Sequence, residues 1–372
     1  MLEETVKKLS DTLHGKGTLT FAANTPFSLI ASSGSSKVVH IYNLKNAQLL
    51  EQLIPKSSTP VSFLAWDKTG KLLVIIQKDS PIIMVWNKTS KKATHIDLKL
   101  KELIFAKFSD DSKEIAVGTS RGTLLIYNLI SDTKYTSTHN GVAAAGKKIP
   151  INCGDWSNDK FVYASEDGMI SACNKSGKLL ASAKLEGCVC DVKVANNMVA
   201  ANLGGEKILL YNFSEKRSMK FEKIYGNVVW FQWLKDRSII VGFKKGYIVV
   251  ASTNTSNSNA GGRFCMRFLN DGEELIDMSY SDTHQKLAIC GSQNTLKIID
   301  LHTWSESVTK CRAIDKVEWV GGVLCASTAW GFCYFYREAV PNEVTKIVGL
   351  LRNLFAGWDS QVTAVCFLPW WG

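Results

Sequence analysis

The sequence has few of the features that mark membrane-spanning or secreted proteins. No run of about 18 apolar residues occurs in the 372-residue chain, so we expect no transmembrane helix. The first residues, MLEETVKKLSDTLHG, are amphipathic and charged and lack the apolar middle of a signal peptide. Hydrophobic residues nevertheless make up 45% of the chain, which is enough for a large core. These observations favour one large globular fold.

Signals for catalysis and for metal binding are equally sparse. No H-E-x-x-H motif and no complete G-x-x-x-x-G-K-S/T phosphate loop occurs. The six histidines have no paired metal-ligand spacing; they are His14, His40, His95, His139, His284 and His302. We therefore expect a protein that is not an enzyme and needs no cofactor and no metal.

The ten cysteines do not have the spacing of a disulfide framework. Most of them lie in apolar, strand-like segments, where a reduced cysteine acts as a small buried apolar residue. Cys188 and Cys190 are separated by one residue, which is the wrong spacing for a two-cysteine zinc knuckle, and no companion pair follows. The sequence thus predicts structural, reduced cysteines.

The formal net charge is +10, which favours acidic partners, nucleic acid or anionic membrane. The lysines, however, form scattered pairs and no stripe interleaved with aromatic residues. They are Lys7-Lys8, Lys91-Lys92, Lys147-Lys148 and Lys244-Lys245. This pattern favours a solvated surface over a polyanion site and makes nucleic acid an improbable partner.

One unit recurs along the chain. Its best example is GTSRGTLLIYNL (118–129), in which a strand ends at Gly118, turns through Ser120-Arg121-Gly122 and continues as a second strand. Related units are SGSSKVVHIYNL (33–44), QKDSPIIMVWNK (77–88), SEDGMISACNKS (165–176), NLGGEKILLYNF (202–213), FKKGYIVVASTN (243–254), GSQNTLKIIDLH (291–302) and TAWGFCYFYREA (328–339). A repeat of about 40–45 residues with four short strands per unit is typical of a β-propeller blade. The fold class predicted is therefore all-β, a β-propeller over residues 1–340.

The eight units predict a ring of eight blades, with seven blades as the alternative. The last unit supplies only three strands, so we expect the segment Leu2 to Leu13 to contribute its outer strand. After Pro341 the apolar residues from Val344 to Trp358 fall at helical spacing. Residues 341–372 are therefore predicted to be an extension, first helix-like and then strand-like, and one interpretation is that they are the truncated start of a further domain.

Three stretches resemble one family of WD-repeat propellers in particular. They are GTSRGTLLIYNL (118–129), INCGDWSNDKFVYASEDGMISACNKSG (151–177) and YGNVVWFQWLKDRSIIVGFKKGYIVVAST (225–253). These resemble the N-terminal propeller of the WD-repeat protein 19 family, whose members are subunits of intraflagellar transport complex A. The resemblance extends to about Tyr336, although Gly-His is absent and the third strands end in Tyr-Asn, Trp-Asn, Cys-Asn or Ile-Asp in place of Trp-Asp.

The resemblance implies a non-catalytic scaffold in ciliary, retrograde transport and in the entry of membrane proteins into the cilium. The implied partners are other transport-complex subunits, a ciliary membrane cargo or adaptor, and weakly an anionic membrane. The implied locations are the cilium or flagellum, the basal body and the cytoplasm. The alternative, motivated by the net charge, is a coat-like vesicle-trafficking propeller that binds acidic peptides or anionic membrane.

The turns between second and third strands are the candidate docking surface, because loops on a rigid scaffold commonly carry binding residues. The candidate contact residues there are Trp330, Arg121, Lys244, Lys245, Asp79 and Glu166. Trp330 is a large aromatic residue in a turn, which is typical of an interface anchor. Arg121 and the Lys244-Lys245 pair would contact an acidic partner. The competing interpretation is that these are ordinary solvated turn residues.

Overall fold

The structure is a computed structural model, and its description covers most of the chain up to residue 338. The described residues are 2–3, 6–7, 20–35, 37–44, 48–138, 149–195, 198–205, 207–211, 216–221, 223–234, 238–253, 262–310, 314–320, 322–328, 333–338 and 349–350. Within these residues the structure is built almost wholly from strands. The one helical element among them is a 3-10 turn, Lys223–Tyr225.

The strands follow one another closely along the chain. In order they are β1 (Leu2–Glu3), β2 (Val6–Lys7), β3 (Thr20–Asn24), β4 (Leu29–Ser33), β5 (Val39–Asn43), β6 (Gln48–Leu53), β7 (Val61–Trp66), β8 (Leu72–Gln77), β9 (Ile82–Asn87), β10 (Lys92–Asp97), β11 (Leu103–Phe108), β12 (Glu114–Thr119), β13 (Thr123–Asn128), β14 (Lys134–Thr138), β15 (Ile151–Ser157), β16 (Lys160–Ser165), β17 (Met169–Asn174) and β18 (Leu179–Lys184). The series continues with β19 (Asp191–Ala195), β20 (Met198–Asn202), β21 (Lys207–Tyr211), β22 (Lys216–Lys220), β23 (Val228–Trp233), β24 (Ser238–Phe243), β25 (Tyr247–Ser252), β26 (Gly262–Arg267), β27 (Leu275–Ser281), β28 (Lys286–Gly291), β29 (Thr295–Asp300), β30 (Glu306–Lys310), β31 (Ile314–Val320), β32 (Val323–Thr328), β33 (Cys333–Glu338) and β34 (Gly349–Leu350).

These strands form four-stranded antiparallel sheets, which we number 1 to 8. Sheets 1 to 7 each consist of four consecutive strands, from β3–β6 in sheet 1 to β27–β30 in sheet 7. Sheet 8 combines β31, β32 and β33 with β1 from the start of the chain. Leu2 pairs with Glu338 and Glu3 with Arg337, so the prediction that an N-terminal strand completes the last unit is confirmed at these two residues.

The burial of each strand follows its position in the sheet. The second and third strands are almost fully buried, as in β8, where Leu73 to Gln77 are all buried. The outer strands alternate instead, and β6 exposes every second residue from Gln48 to Gln52. A strand covered on both faces must be apolar throughout, whereas an edge strand needs one apolar face only. Burial in these strands therefore decreases from the inner to the outer position of a sheet.

Helical spacing after Pro341 did not predict the backbone correctly. Gly349 and Leu350 form a strand that pairs in parallel with Val6 and Lys7 of β2. The predicted helix is therefore wrong at these two residues, and the rest of its range lies outside the described residues. Glycine has a weak helix propensity, and pairing with β2 satisfies the same backbone groups that a helix would.

The chain divides into two compact units. One contains residues 65–268, with sheets 3 to 6 and nearly all of sheet 2; the other contains residues 1–64 and 269–372, with sheets 1, 7 and 8. In the second of these units, Phe21, Ile30 and Tyr42 of sheet 1 pack against Val320 and Cys325 of sheet 8. The first and last complete repeats are thus direct packing neighbours.

Polar contacts join neighbouring sheets within each unit. The Trp156 indole donates to Lys107 O at 2.9 Å, and the Trp233 indole donates to Lys193 O at 3.0 Å. Carboxylates make the same kind of contact, because Asp155 accepts from Val194 N at 3.0 Å and Asp277 accepts from Val317 N at 2.9 Å. Burial raises the pKa of Asp277 to about 6 despite this hydrogen bond.

Candidate functional site

The candidate docking surface lies where the second strand of each sheet turns into the third. Asp79, Arg121, Glu166, Lys244 and Lys245 all lie in such turns, in sheets 2, 3, 4 and 6 of the 65–268 unit. All five side chains are exposed. Trp330, the sixth predicted contact residue, lies outside the described residues. We call this end of the sheets the turn end.

The backbone of these turns is set by residues with a positive φ. Gly122 has φ +74°, Gly246 φ +80° and Asp79 φ +58°. At Gly168, φ is +84°, and an added Cβ would clash with the carbonyl oxygen of Gly187. A glycine there is required on both counts, since other L residues rarely adopt this φ. The turns therefore have a fixed backbone that displays one or two side chains.

Arg121 is paired inside its own sheet. Its Nε donates to Glu102 Oε1 at 2.9 Å and its second guanidinium nitrogen to the same oxygen at 2.5 Å. Ser120 Oγ donates to the other oxygen of Glu102. Donation of these hydrogen bonds to the Glu102 carboxylate raises the pKa of Arg121 above its usual value. Glu102 was not singled out in the sequence, and its pairing lowers the charge that Arg121 offers to a partner.

The turn from Gly118 to Gly122 has the G-x-S-x-G spacing of serine hydrolases, with Ser120 at its centre. In those enzymes the serine follows a strand and opens a helix, and a histidine activates it. Here the turn joins two antiparallel strands, β12 and β13. The hydroxyl is bonded to Glu102, so the geometry is that of a strand-connecting turn.

Glu166 lies beside a second internal pair. Its backbone N donates to Pro150 O at 3.0 Å, while its side chain stays exposed. The next residue, Asp167, forms an ion pair with Lys184 at 3.0 Å and also accepts from Ser165 Oγ at 2.5 Å. The acidic character of this turn is therefore carried by Glu166, since Asp167 is engaged within its own sheet.

Lys244 and Lys245 belong to a larger cationic group. Their backbone N–H groups donate to Asn227 O at 2.8 Å and to Tyr225 O at 3.2 Å, which fixes the turn against the 3-10 turn Lys223–Tyr225. Lys223 and Ile224 of that 3-10 turn are exposed, and the exposed fraction of Ile224 is 55%. The sequence analysis missed these two neighbours, because they become adjacent to Lys245 only through the fold.

Aromatic side chains support the same group from beneath. The rings of Tyr225 and Tyr247 are 4.8 Å apart, and Tyr225 also contacts Phe243 at 5.3 Å. Arg267 lies over the Tyr247 ring at 5.6 Å, and its Nε donates to Lys245 O at 3.2 Å. We call Lys223, Ile224, Lys244, Lys245 and Arg267 the basic patch.

The basic patch joins four cationic side chains to one exposed apolar side chain. Long basic side chains around an exposed isoleucine suit an acidic partner with an apolar residue to bury. Asp79 lies in the corresponding turn of sheet 2, and no contact brings it to the patch. Of the five predicted contact residues that the structure describes, only Lys244 and Lys245 belong to the basic patch.

Other kinds of site find little support in the part of the chain that the structure covers. No cluster of three or more His, Cys, Asp or Glu residues there could hold a metal ion. Seven described cysteines are free, and Cys188 and Cys190 are exposed, whereas Cys173, Cys290 and Cys325 are buried as predicted. Among the described residues, no helix is long and apolar enough to cross a membrane.

Comparison with known proteins identifies relatives along most of the chain. The profile of the family described as WDR19 first beta-propeller matches residues 20–329. The mouse and human WD repeat-containing protein 19 are each 26% identical over 337 residues, which is 84% of this chain and 24% of theirs. The WD repeat-containing protein dyf-2 of Caenorhabditis elegans is 22% identical over 304 residues, 77% of this chain and 21% of that protein. The chain therefore spans about a quarter of the length of these relatives.

Solved structures agree on the fold. The C-terminal WD40 domain of Sif2 matches with a TM-score of 0.72 at 15% identity, covering 91% of this chain and 99% of that one. The computationally designed Ika8 protein matches with a TM-score of 0.69 at 14% identity, covering 90% of this chain and all of that one. At these identities the likeness concerns the fold alone, and it confirms the predicted all-β propeller class.

Proposed function

The chain belongs to the WDR19 first beta-propeller family, and we propose that it is a non-catalytic protein-interaction scaffold in ciliary transport. The observation that carries this proposal is the family match, which runs from residue 20 to residue 329. Propeller folds serve many functions, so the fold alone would not support it. The names of the mouse, human and worm relatives point to the same family.

The finer proposal is that the chain acts within intraflagellar transport complex A. There it would serve retrograde transport and the entry of membrane proteins into the cilium, through contacts with other complex subunits and with a membrane cargo or adaptor. The expected locations are the cilium or flagellum, the basal body and the cytoplasm. Support comes from the resemblance of residues 118–129, 151–177 and 225–253 and from the family match over the same residues.

We assign the basic patch as the surface that binds another subunit. Lys223, Lys244, Lys245 and Arg267 provide positive charge, and the half-exposed Ile224 provides an apolar centre. The partner is then an acidic segment with an apolar side chain. Because the patch backbone is held by hydrogen bonds to Tyr225 and Asn227, binding requires little reordering of this surface.

The experiment is affinity purification of the full chain from ciliated cells. Lys244→Glu combined with Lys245→Glu reverses two charges in the patch, and we expect recovery of identified transport-complex subunits to fall about tenfold. The matched control is Lys91→Glu with Lys92→Glu, an exposed lysine pair at the last turn residue before β10 and the first residue of β10. If the wild type recovers no transport subunit, the proposed function fails; if both variants bind equally, only the patch assignment fails.

A coat-like membrane-trafficking role is the second candidate, because a basic surface with an exposed isoleucine also suits an anionic bilayer. Flotation with vesicles of neutral lipid, alone or with about one third phosphatidylserine, separates the two. The membrane role is supported if the wild type floats with the anionic vesicles and the double variant Lys244→Glu, Lys245→Glu does not. Equal behaviour with both vesicle types removes it.

We also propose that the eight sheets make one propeller over residues 1–340 and that residues 341–372 form a separate extension. Support comes from the pairing of β1 with β33 and from the packing of Phe21 and Ile30 against Val320. The proposed count is eight blades, with seven as the alternative. Limited proteolysis should leave a resistant core that ends near residue 340.

A further inference from the structure

The outer strand of sheet 4, β18, differs from the other outer strands. Within the described residues it pairs with β17 and lies at the end of its sheet. An edge strand presents unpaired backbone N–H and C=O groups to its surroundings, and proteins commonly protect such edges with charged side chains. β18 reads Leu179-Leu180-Ala181-Ser182-Ala183-Lys184, so its first five residues carry no charge.

Other outer strands carry a charged side chain at their start, where β18 has leucines. β10 begins with Lys92, β14 with Lys134 and β30 with Glu306, and β6 contains Glu51 in its interior. β18 instead begins with Leu179 and Leu180, and its one charged residue is Lys184 at the end. The start of β18 is therefore the apolar part of this edge.

A β-bulge brings two leucines to the surface of β18. Cys173 pairs with Leu179 and Ala172 with Ala181, so Leu180 is an extra residue opposite β17. The exposed fractions are 51% for Leu179 and 46% for Leu180. Two adjacent exposed leucines on an edge strand lose the free energy that their burial would give. A partner that covers them would recover part of it.

The neighbouring sheet extends this apolar area. Tyr135 of β14 lies so close to Gly177 that an added Cβ there would be 2.9 Å from Tyr135 Cβ. Tyr135 is itself 38% exposed. Gly177 precedes β18 by two residues, so Tyr135 lies beside the turn that leads into Leu179.

The charges near β18 indicate which partner would fit. Lys178 is exposed immediately before the strand, and Lys184 ends it with its Nζ held 3.0 Å from Asp167. No acidic residue occurs between Lys175 and Leu185. A partner segment that lies along β18 would therefore place an acidic residue beside Lys178 and apolar residues over the two leucines.

We propose that β18 is a strand-addition site that binds an extended, acidic-ended and otherwise uncharged segment of another protein. Main-chain hydrogen bonds along Ala181 to Lys184 would supply affinity, and the apolar area formed by Tyr135, Leu179 and Leu180 would supply specificity. The small side chains of Ala181, Ser182 and Ala183 leave room for the added strand. This site is separate from the basic patch and does not depend on the proposed transport role.

Hydrogen exchange of the full chain tests the proposal, with the synthetic peptide Asp-Val-Thr-Val-Thr-Val-Thr-Asp as the probe. At saturating peptide we expect the amides of residues 180–184 to exchange about fivefold more slowly and those of β10 to remain unchanged. Leu179→Lys with Leu180→Lys should abolish the protection, whereas Thr94→Lys on β10 should leave it intact. Equal protection of both strands, or none, overturns the proposal.

A charge exchange examines the orientation of the partner. Lys178→Glu should weaken binding of the acidic-ended peptide about threefold to tenfold, and a peptide with lysine at both ends should regain the loss. If the variant binds both peptides as the wild type does, the acidic partner is wrong. Sedimentation equilibrium tests whether β18 binds a second copy of this chain instead. A dimer that Leu180→Lys dissociates would show such self-association and would contradict the proposal.

Discussion

The two ends of the sheets in the 65–268 unit are held together by different forces. At the end with the turns between first and second strands, charged side chains cross from sheet to sheet. Lys68 pairs with Asp110 at 2.5 Å, and Ser112 Oγ donates to Asp67 at 2.7 Å, which joins sheets 2 and 3. Lys175 joins sheets 3 and 4 through Asp111 at 2.8 Å and Glu114 at 3.3 Å. We call this end the tied end.

At the turn end, backbone hydrogen bonds hold each turn within its own sheet. Ser120 N donates to Glu102 O at 3.0 Å, Leu185 N to Gly168 O at 2.8 Å and Lys244 N to Asn227 O at 2.8 Å. The charged side chains here are exposed or, like Arg121 and Asp167, paired within their own sheet. The difference teaches that charged side chains join neighbouring sheets at the tied end, whereas at the turn end they do not cross between the sheets in these contacts.

The largest expected effect comes from the backbone of the turn end. Gly168→Ala should lower the free energy of unfolding by about 2–3 kcal/mol, because alanine is strained at this φ and its Cβ meets the Gly187 carbonyl. Urea denaturation followed by tryptophan fluorescence measures it. Gly205→Ala is the control, since an added Cβ there meets no atom within 4 Å. Equal losses in both variants would contradict the role given to the backbone.

The next effect concerns the side chains of the tied end. Lys175→Met should lower the free energy of unfolding by about 1–2 kcal/mol, since it leaves the buried Glu114 without its cation. Lys178→Met, three residues further along and exposed, should cause almost no change in the same denaturation experiment. If the two methionine variants are equally stable, the ion pairs at the tied end contribute little to the packing of sheets 3 and 4.

The pH dependence of that difference follows from Asp111. The hydrogen bond that it accepts from Lys175 holds the pKa of this carboxyl well below its usual value. A lowered pKa in the folded state adds stability above pH 4, and this stability is lost as the pH falls further. The stability gap between wild type and Lys175→Met should therefore narrow from pH 5 to pH 2. A gap that stays constant would assign the effect to packing of the lysine stem.

The smallest effect is expected at the paired arginine of the turn end. Arg121 and Glu102 have side-chain exposures of 47% and 41%, and exposed ion pairs contribute little to stability. Arg121→Gln should leave the melting temperature within the range of replicate measurements by differential scanning calorimetry. Glu102→Gln should release Arg121 and increase the salt dependence of binding to an acidic partner. A clear destabilisation by Arg121→Gln would make this turn resemble the tied end.

The sequence predicted the strands well, because their pattern is local. The predicted units 77–88 and 118–129 each contain the end of a second strand and the whole of a third, which are β8 with β9 and β12 with β13 in the structure. Apolar runs that end at Gly122 or Gly168 contain both the strand signal and the turn signal. The helix expected after Pro341 was wrong at Gly349 and Leu350, since periodicity alone ignored the edge that β2 offers for pairing.

The candidate contacts were predicted less completely. Lys244 and Lys245 stood out as a charged turn, whereas Lys223, Ile224 and Arg267 lie far enough away in sequence to give no signal. Arg121 appeared equally available, and its partner Glu102 lies 19 residues earlier. A pairing of this kind depends on which turns lie side by side at the end of a sheet. The distance between two such turns is set by the fold and cannot be read from their separation in sequence.

The sequence by itself determined the repeat, the strand order and the all-β propeller class, because burial of apolar strands depends on residue patterns within one unit. Only the tertiary structure decided which charges are engaged and which remain exposed. Contacts such as Lys175 with Asp111 and Glu114 join residues about 60 positions apart, and their strength depends on distance and burial. The tertiary structure also decided that a bulge opposite Cys173 exposes Leu179 and Leu180, which gives β18 an edge fit for a partner.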